Sequence, residues 1–324
     1  MAAATSLAQP QWEAQGRPGG RGSAALKQIR RGWQLYLLLA LPLAWLFIFM
    51  YYPMYGAQIA FRDFLPGQGI WGSEWVGAEH FQRFFVSPMF WRLLRNTLGL
   101  SVYMLAVGFP IPILFALSLN QLRVGPFKRT VQMVSYAPHF ISTVVMVGLI
   151  LQFLDLRRGP VNLLLQAVGL KAVHFMGNAE MFPSIYVWTG IWQNMGFSAI
   201  IYLAALTTID PALHEAALMD GANRVRRIWH IDIPGILPLA ITLLILNMGQ
   251  LLNIGFEKAF LLQNPLNLST SEVISTYVYK IGLAGSVANF SYAAAIGLFN
   301  SVIGLILLVT ANQISRRLSE TSLF

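Results

Sequence analysis

Six stretches of this 324-residue chain contain no Asp, Glu, Lys or Arg: residues 32–61, 96–122, 130–154, 181–209, 233–256 and 281–315. Each exceeds the roughly 20 apolar residues that a helix needs to cross bilayer hydrocarbon. The other uncharged stretches are clearly shorter, 259–271 among them. The pattern predicts an all-α membrane protein with six transmembrane helices. Composition agrees, since charged residues make up 11% of the chain, against about 25% in a soluble domain. The net charge of +9 sits in short clusters between apolar runs, without zinc-finger spacing or an aromatic-basic repeat. It points to lipid headgroups and membrane topology rather than to nucleic acid. With no cysteine, a disulfide, a thiol nucleophile and a cysteine-ligated metal are excluded.

Orientation follows from where the basic residues fall. With the N-terminus inside, the tail, 120–130, 207–234 and the C-terminus hold thirteen of the twenty-two Lys and Arg. Net charge is then +7 inside and +2 outside. Both termini are expected in the cytoplasm. The expected organisation is a cytoplasmic tail over 1–31, a first transmembrane helix over 32–61, a five-helix core over 93–315 that includes a cytoplasmic loop at 207–234, and a tail over 316–324. The first apolar run is too long for a secretory signal and is read as a retained span. The outer segments 62–92, 154–182 and 263–290 suit short helices lying on the outer face.

Little in the spans suggests chemistry. No charged residue lies well inside a gap, which argues against a proton-coupled carrier, because such carriers keep ionisable groups at depth. The chain has no phosphate-binding G-x-x-x-x-G-K-[ST] loop, and His214-Glu215 lacks the second histidine of a zinc protease, with Leu218 in its place. Catalytic and metal-binding residues are therefore not expected. Asn247, Gln250, Asn253 and Glu257 fall within about 120° on a continuous helix. Such a stripe serves either interhelical hydrogen bonding or a polar path. Trp188 and Trp192, with Gln193, Asn194 and Ser198 nearby, suit either sugar contact or an aromatic belt. The candidates for a solute path are Trp188, Trp192, Asn194, Asn247, Gln250 and Asn253. Arg62, Arg83, Arg92, Arg95, Arg157 and Arg158 are further candidates if the solute is acidic. His139 and His174 have no evident partner, and Asn267 and Asn289 head glycosylation sequons.

The stretch LHEAALMDGANRVRRIWHIDIPGILP breaks the apolar pattern, with seven charged residues in the twenty-three positions from Asp210 to Asp232. Asp210-Pro211 is a helix start: a capping acceptor, then proline at the first helical position. Gly221 marks a stop or sharp turn. A second short helix begins near Ala222 with Val225, Ile228 and Trp229 as its apolar stripe, and Pro234 ends the segment. The result is a helical hairpin that either lies on anionic headgroups or docks into another protein.

This segment resembles the signature loop of binding-protein-dependent ABC importer permeases: E-A-A, three residues, G, nine residues, I, one residue, L-P. Glu215, Ala216, Ala217, Gly221, Ile231 and Pro234 fit that spacing, with Ile233 where leucine is usual. The resemblance runs from about residue 34 to 318. IWQNMGFSAIIYLAALTTIDPALHEAALMDGANRVRRIWHIDIPGI and NFSYAAAIGLFNSVIGLILLVTANQISRRL are similar to the oligosaccharide and polysaccharide branch, and within it to permeases of alginate importers. The resemblance implies a type I, maltose-permease-like core and a carbohydrate solute, alginate among the candidates. The implied partners are a second homologous permease subunit, two ATP-binding subunits and a periplasmic solute-binding protein. The chain itself would bind no cofactor, ATP and Mg2+ being used by the partner subunits. Glu215 would be the charged anchor on an ATPase, Ala216 and Ala217 a close-packing surface and Gly221 the turn. Ile231 and Pro234 would seat the exit of the hairpin. A carrier or channel for a polar solute, working alone, is the alternative.

Overall fold

Backbone hydrogen bonds cannot be left open in hydrocarbon, and the chain answers with helices almost throughout. The structure, a computed structural model, describes residues 32–285 and 288–318. The expected tail over 1–31 and the last six residues of the expected C-terminal tail lie outside the described residues. The chain divides into two units, one ending at Ala57 and the other beginning at Gln58. Among the described residues four helices are long and apolar enough to cross a membrane: Trp33–Phe61, Met89–Asn120, Arg224–Gly249 and Phe290–Gln313. The count becomes six when two bent helix pairs are each taken as one span.

The first unit carries Trp33–Leu46, which passes through a wide π turn at Phe47–Tyr51 into Tyr52–Met54. Proline lacks an N–H and clashes with the carbonyl four residues back. A π turn loosens that carbonyl, and here it comes two residues before Pro53.

In the second unit the second span begins at Met89, earlier than the charge gap suggested, and takes in Arg92 and Arg95. Arg92 reaches one oxygen of the nearly buried Glu272 at 2.7 Å, and Lys280 reaches the other at 3.1 Å. Asn96 donates to the carbonyls of Ser269 and Glu272. These contacts fasten the segment before the sixth span onto the second span.

The third gap is not one straight helix. Pro126–Phe140 and Thr143–Phe153 meet at 104°. Ser142 is extended and its hydroxyl accepts from Val145 N, so a fresh helix starts there. Gln193 of the fourth span donates to the Ile141 carbonyl at 3.0 Å, which satisfies the bend. The second arm has 11 residues, about 16 Å at 1.5 Å per residue, too short to cross alone. The fourth span, Phe182–Leu206, likewise turns by 76° into Pro211–Met219.

The fifth span corrects two expectations. Pro234 does not end the hairpin's second arm. Arg224–Arg227 continues through a π turn at Ile228–Asp232 directly into Ile233–Gly249, with the same offset between π turn and proline as at Pro53. The helix then stops at Gly249, so Asn247, Gln250, Asn253 and Glu257 do not share one helical face. Gln250 and Asn253 lie in turns, and Glu257 is exposed on the next helix, Phe256–Leu262. Gly249 is where the fifth and sixth spans touch, since a Cβ there would stand 2.7 Å from Leu308.

Two clusters of buried side chains are strung along the fourth span. One gathers Leu100, Met146, Phe182, Val187 and Leu262, and the other Ala116, Ala199, Tyr202, Leu206 and Ile236. Asn267 is fully buried and binds Leu262, Ser271 and Asn264, while Asn289 caps the sixth span through Tyr292 N. Both sequon asparagines are thus spoken for structurally. At Gly196 a Cβ would overlap the backbone of Ser135, on the third span. Gly196→Ala is expected to cost about 1–3 kcal/mol through overpacking, lowering the thermal midpoint of the detergent-solubilised chain. Gly148→Ala, with open space around it, should leave that midpoint in place.

Candidate functional site

Where the fifth span stops, its turn faces the middle of the second and fourth spans across a cavity of about 370 Å3. That volume lies in the range of small-molecule sites. Asn247, Gln250 and Asn253 line one side, and Asn194 and Ser198 of the fourth span another. Apolar surface comes from Leu100 and Met104 of the second span. The lining contains no charged residue.

Four of the six path candidates are therefore brought together, though not by the helical face the spacing suggested. A Gly-and-amide run, GQLLNIG, ends the helix, and successive turns bond Gln250 N to Asn247 O and Asn253 N to Gln250 O. Asn253 donates to Gln250 Oε1 at 2.8 Å and Asn247 to Leu243 O at 2.8 Å. A side-chain amide offers two donors and two lone pairs, so these residues keep capacity for hydroxyl groups. Asn194 donates to Gly190 O and its Oδ1 meets His139 Nδ1 at 3.0 Å. His139 is thus partnered after all, and it also stacks on Phe197 with ring centroids 3.9 Å apart. Trp188 and Trp192 are not in the cavity wall. Both are about half exposed on another side of the helix, Trp188 donating to Tyr103 Oη.

The side chains of Arg62 and Arg83 are engaged locally, as is that of Arg92 at Glu272. Arg62 lies over Trp71 and Trp75 and donates to Ser73 O. Arg83 lies 4.8 Å from the Tyr292 ring. The backbone N–H groups of Arg157 and Arg158 both donate to Asp155, holding that exposed carboxyl below its usual pKa.

The hairpin is the second feature. Asp210 caps Pro211–Met219 by accepting from Ala212 N at 2.9 Å. Gly221 has φ of 76°, the left-handed region that glycine enters without penalty. Ala222 N bonds Ala217 O and Gly221 N bonds Leu218 O, the paired bonds of a Schellman stop. The second arm starts at Arg224, capped by Asn223 and not at Ala222. Glu215, Ala216 and Gly221 are exposed, as is Pro234, whereas Ala217 and Ile231 are half-buried. Ala217 consequently faces inward instead of joining Ala216 on the outer surface. Around them Leu213, Met219, Val225 and Trp229 are all more than half exposed.

Spacing did not reveal what ties the hairpin down. Asp232 is fully buried in the π turn, with His214 Nε2 3.3 Å from Oδ1 and Gln121 Nε2 donating to Oδ2 at 3.2 Å. One carboxylate thereby joins the first arm of the hairpin, the root of the fifth span and the end of the second. The only sequence signal was an acid in the variable position between Ile231 and Ile233.

Comparison with known proteins gives three concordant results. The family described as the binding-protein-dependent transport system inner membrane component matches residues 108–320. The polygalacturonan/rhamnogalacturonan transport system permease protein YteP of Bacillus subtilis (strain 168) is 44% identical over 290 residues, 90% of each chain. In the solved structure of a bacterial ABC transporter involved in the import of the acidic polysaccharide alginate, one chain is 41% identical with a TM-score of 0.84, covering 91% of this chain and 99% of that one. A structure of a bacterial alginate ABC transporter in complex with alginate pentasaccharide-bound periplasmic protein matches at the same identity and score, over 92% and 99%.

Removing the buried carboxylate leaves the Gln121 amide without its acceptor and His214 without its acidic neighbour, at a cost of about 1–3 kcal/mol. Asp232→Ala should therefore speed tryptic cleavage at Arg224, Arg226 and Arg227 severalfold in membranes; an unchanged rate would mean the hairpin is held by packing alone.

Proposed function

The chain belongs to the inner-membrane components of binding-protein-dependent transport systems, and from that premise we propose that it is one permease subunit of an ATP-driven importer of acidic oligosaccharides. The observation that carries this reading is the amide-lined cavity, in a chain whose relatives are named for polygalacturonan/rhamnogalacturonan and alginate transport. Neutral amides bind sugar hydroxyls from either the donor or the acceptor side, and the apolar wall suits the C–H faces of the rings.

In this reading a second homologous permease subunit completes the path. A periplasmic binding protein delivers the solute, and two ATP-binding subunits use ATP and Mg2+ below. The termini and the hairpin face the cytoplasm, in line with the basic clusters at both ends and in the hairpin. Glu215 and Ala216 meet an ATPase groove together with exposed Leu213 and Met219, while Gly221 and the half-buried Ala217 fix the shape of the turn. Ile231 and Pro234 seat the exit of the hairpin.

The chain's covalent layout supports transmission from that joint. The fourth span, which carries Asn194 and Ser198, bends into the first arm of the hairpin, and the second arm runs without a break into the fifth span and Asn247. From Arg224 to Gly249 is about 39 Å of helix at 1.5 Å per residue. Movement of the hairpin by closing ATPase subunits thus acts on two walls of the cavity at once, biasing it between outward and inward access.

Two measurements test the reading. Glu215→Lys and Gly221→Leu should leave the chain in the membrane yet abolish ATP hydrolysis stimulated by loaded binding protein; normal stimulation would refute the docking role. Vesicles holding the complete complex should accumulate an acidic oligosaccharide from its binding protein faster than a neutral one of equal length. Equal uptake, or uptake without ATP, would refute the cargo or the mechanism respectively.

A further inference from the structure

Lys258 follows directly on the break that carries Gln250 and Asn253, in the short helix Phe256–Leu262. Its side chain is buried, 8% of the residue remaining exposed. Nζ donates to the carbonyl of Tyr186 at 2.8 Å and lies 4.9 Å from the centroid of the Tyr186 ring. It reaches the fourth span because residue 190 is glycine: a Cβ there would stand 3.1 Å from Nζ. Tyr186 in turn donates to Gly255 O at 3.4 Å. Tyr186, Gly190 and Gly255 all line the cavity, so the ammonium sits one residue layer behind its wall.

Among the described residues no carboxylate lies within 4 Å of Nζ; Glu272 is paired with Arg92 and Lys280, and Asp232 lies beside His214. Burying an ammonium without a counter-ion costs several kcal/mol, a cost the fold carries directly behind the cavity wall. A glutamine could make the same hydrogen bond to Tyr186 with no charge to desolvate. What lysine adds is a positive field, and the uncharged cavity lining does not cancel it.

We propose that Lys258 sets the charge preference of the transported cargo, its ammonium drawing a carboxylate of an acidic oligosaccharide into the cavity between the second, fourth and fifth spans. This rests on the importer reading and adds the group that distinguishes a carboxylated sugar from a neutral one. A carboxylate roughly 7 Å from an ammonium, at an effective dielectric constant of about 20, gains more than a factor of ~10 in affinity.

The test uses the complete complex, native and with Lys258→Gln or Lys258→Arg, titrated with trigalacturonate and with its methyl ester, which is equally long but uncharged. The native complex should bind the acid about tenfold more tightly than the ester. Lys258→Gln should bring that ratio close to one with the ester's Kd and the thermal midpoint unchanged, and Lys258→Arg should keep most of the preference. Equal loss for both ligands in Lys258→Gln would make the lysine a structural pin, and an unchanged ratio would place the preference elsewhere; either overturns the inference. Vesicle uptake of trigalacturonate from its binding protein is read in parallel. Uptake by the native complex with the preference intact in Lys258→Gln overturns the role of Lys258 alone. No uptake of either sugar overturns the importer reading, and the inference with it.

Discussion

Hydrocarbon offers a peptide group no hydrogen bond, and the rest of this structure depends on that constraint. A helix may be interrupted at membrane depth only where protein or a polar space receives the freed groups. The interruption after Gly249 is received by a cavity, where turn bonds and three side-chain amides take over from the helical ladder. The one at Ile141–Ser142 is received by protein, through Gln193 and the Ser142 cap. At Pro53 and Pro234 a π turn two residues earlier makes room for the ring, whereas Pro42 and Pro238 are carried within α-helix.

Charge is handled with similar economy. Glu272 is nearly buried between Arg92 and Lys280, and Asp232 is fully buried between His214 and Gln121. Each fastens elements distant in sequence, the outer segment in one case and the hairpin in the other. Lys258 is the contrasting case, buried against a carbonyl and a ring without such a partner among the described residues. Glu272 shows that the fold can pair a buried charge among the described residues, whereas Lys258 is left one residue layer behind the uncharged wall of the cavity.

Much of this was legible in the sequence because it depends on local rules. Six charge gaps follow from the cost of burying ions in lipid, and the hairpin follows from Asp210, Pro211 and Gly221, whose capping and turn preferences act within a few residues. The bend in the third span was hidden because an uncharged run carries no mark of direction. Gln250 and Asn253 do line one cavity with Asn247, but not through the helical face expected of them, since a 3.6-residue period assumes that the helix continues past Gly249. Trp188 and Trp192 share a face as expected but lie outside the cavity lining, because a shared face does not say what that face meets. Asp232–His214 and Lys258–Tyr186 were illegible for a simpler reason: both contacts link positions that come together only once the spans pack.

The π turn at Ile228–Asp232 has a bearing on phase. A π turn holds one residue more than an α turn, and each residue is worth about 100° of rotation. That extra residue fixes the azimuth of everything beyond it relative to the hairpin, so that Asp232 points to His214 while Asn247, fifteen residues on, points into the cavity. Shortening the turn to a regular helical one would swing the amides by about 100° away from Asn194 and would pull Asp232 off His214 at the same time. The two ends of this helix are therefore indexed to each other like the teeth of a gear, so that inserting or removing one residue between them would turn the amides out of the cavity.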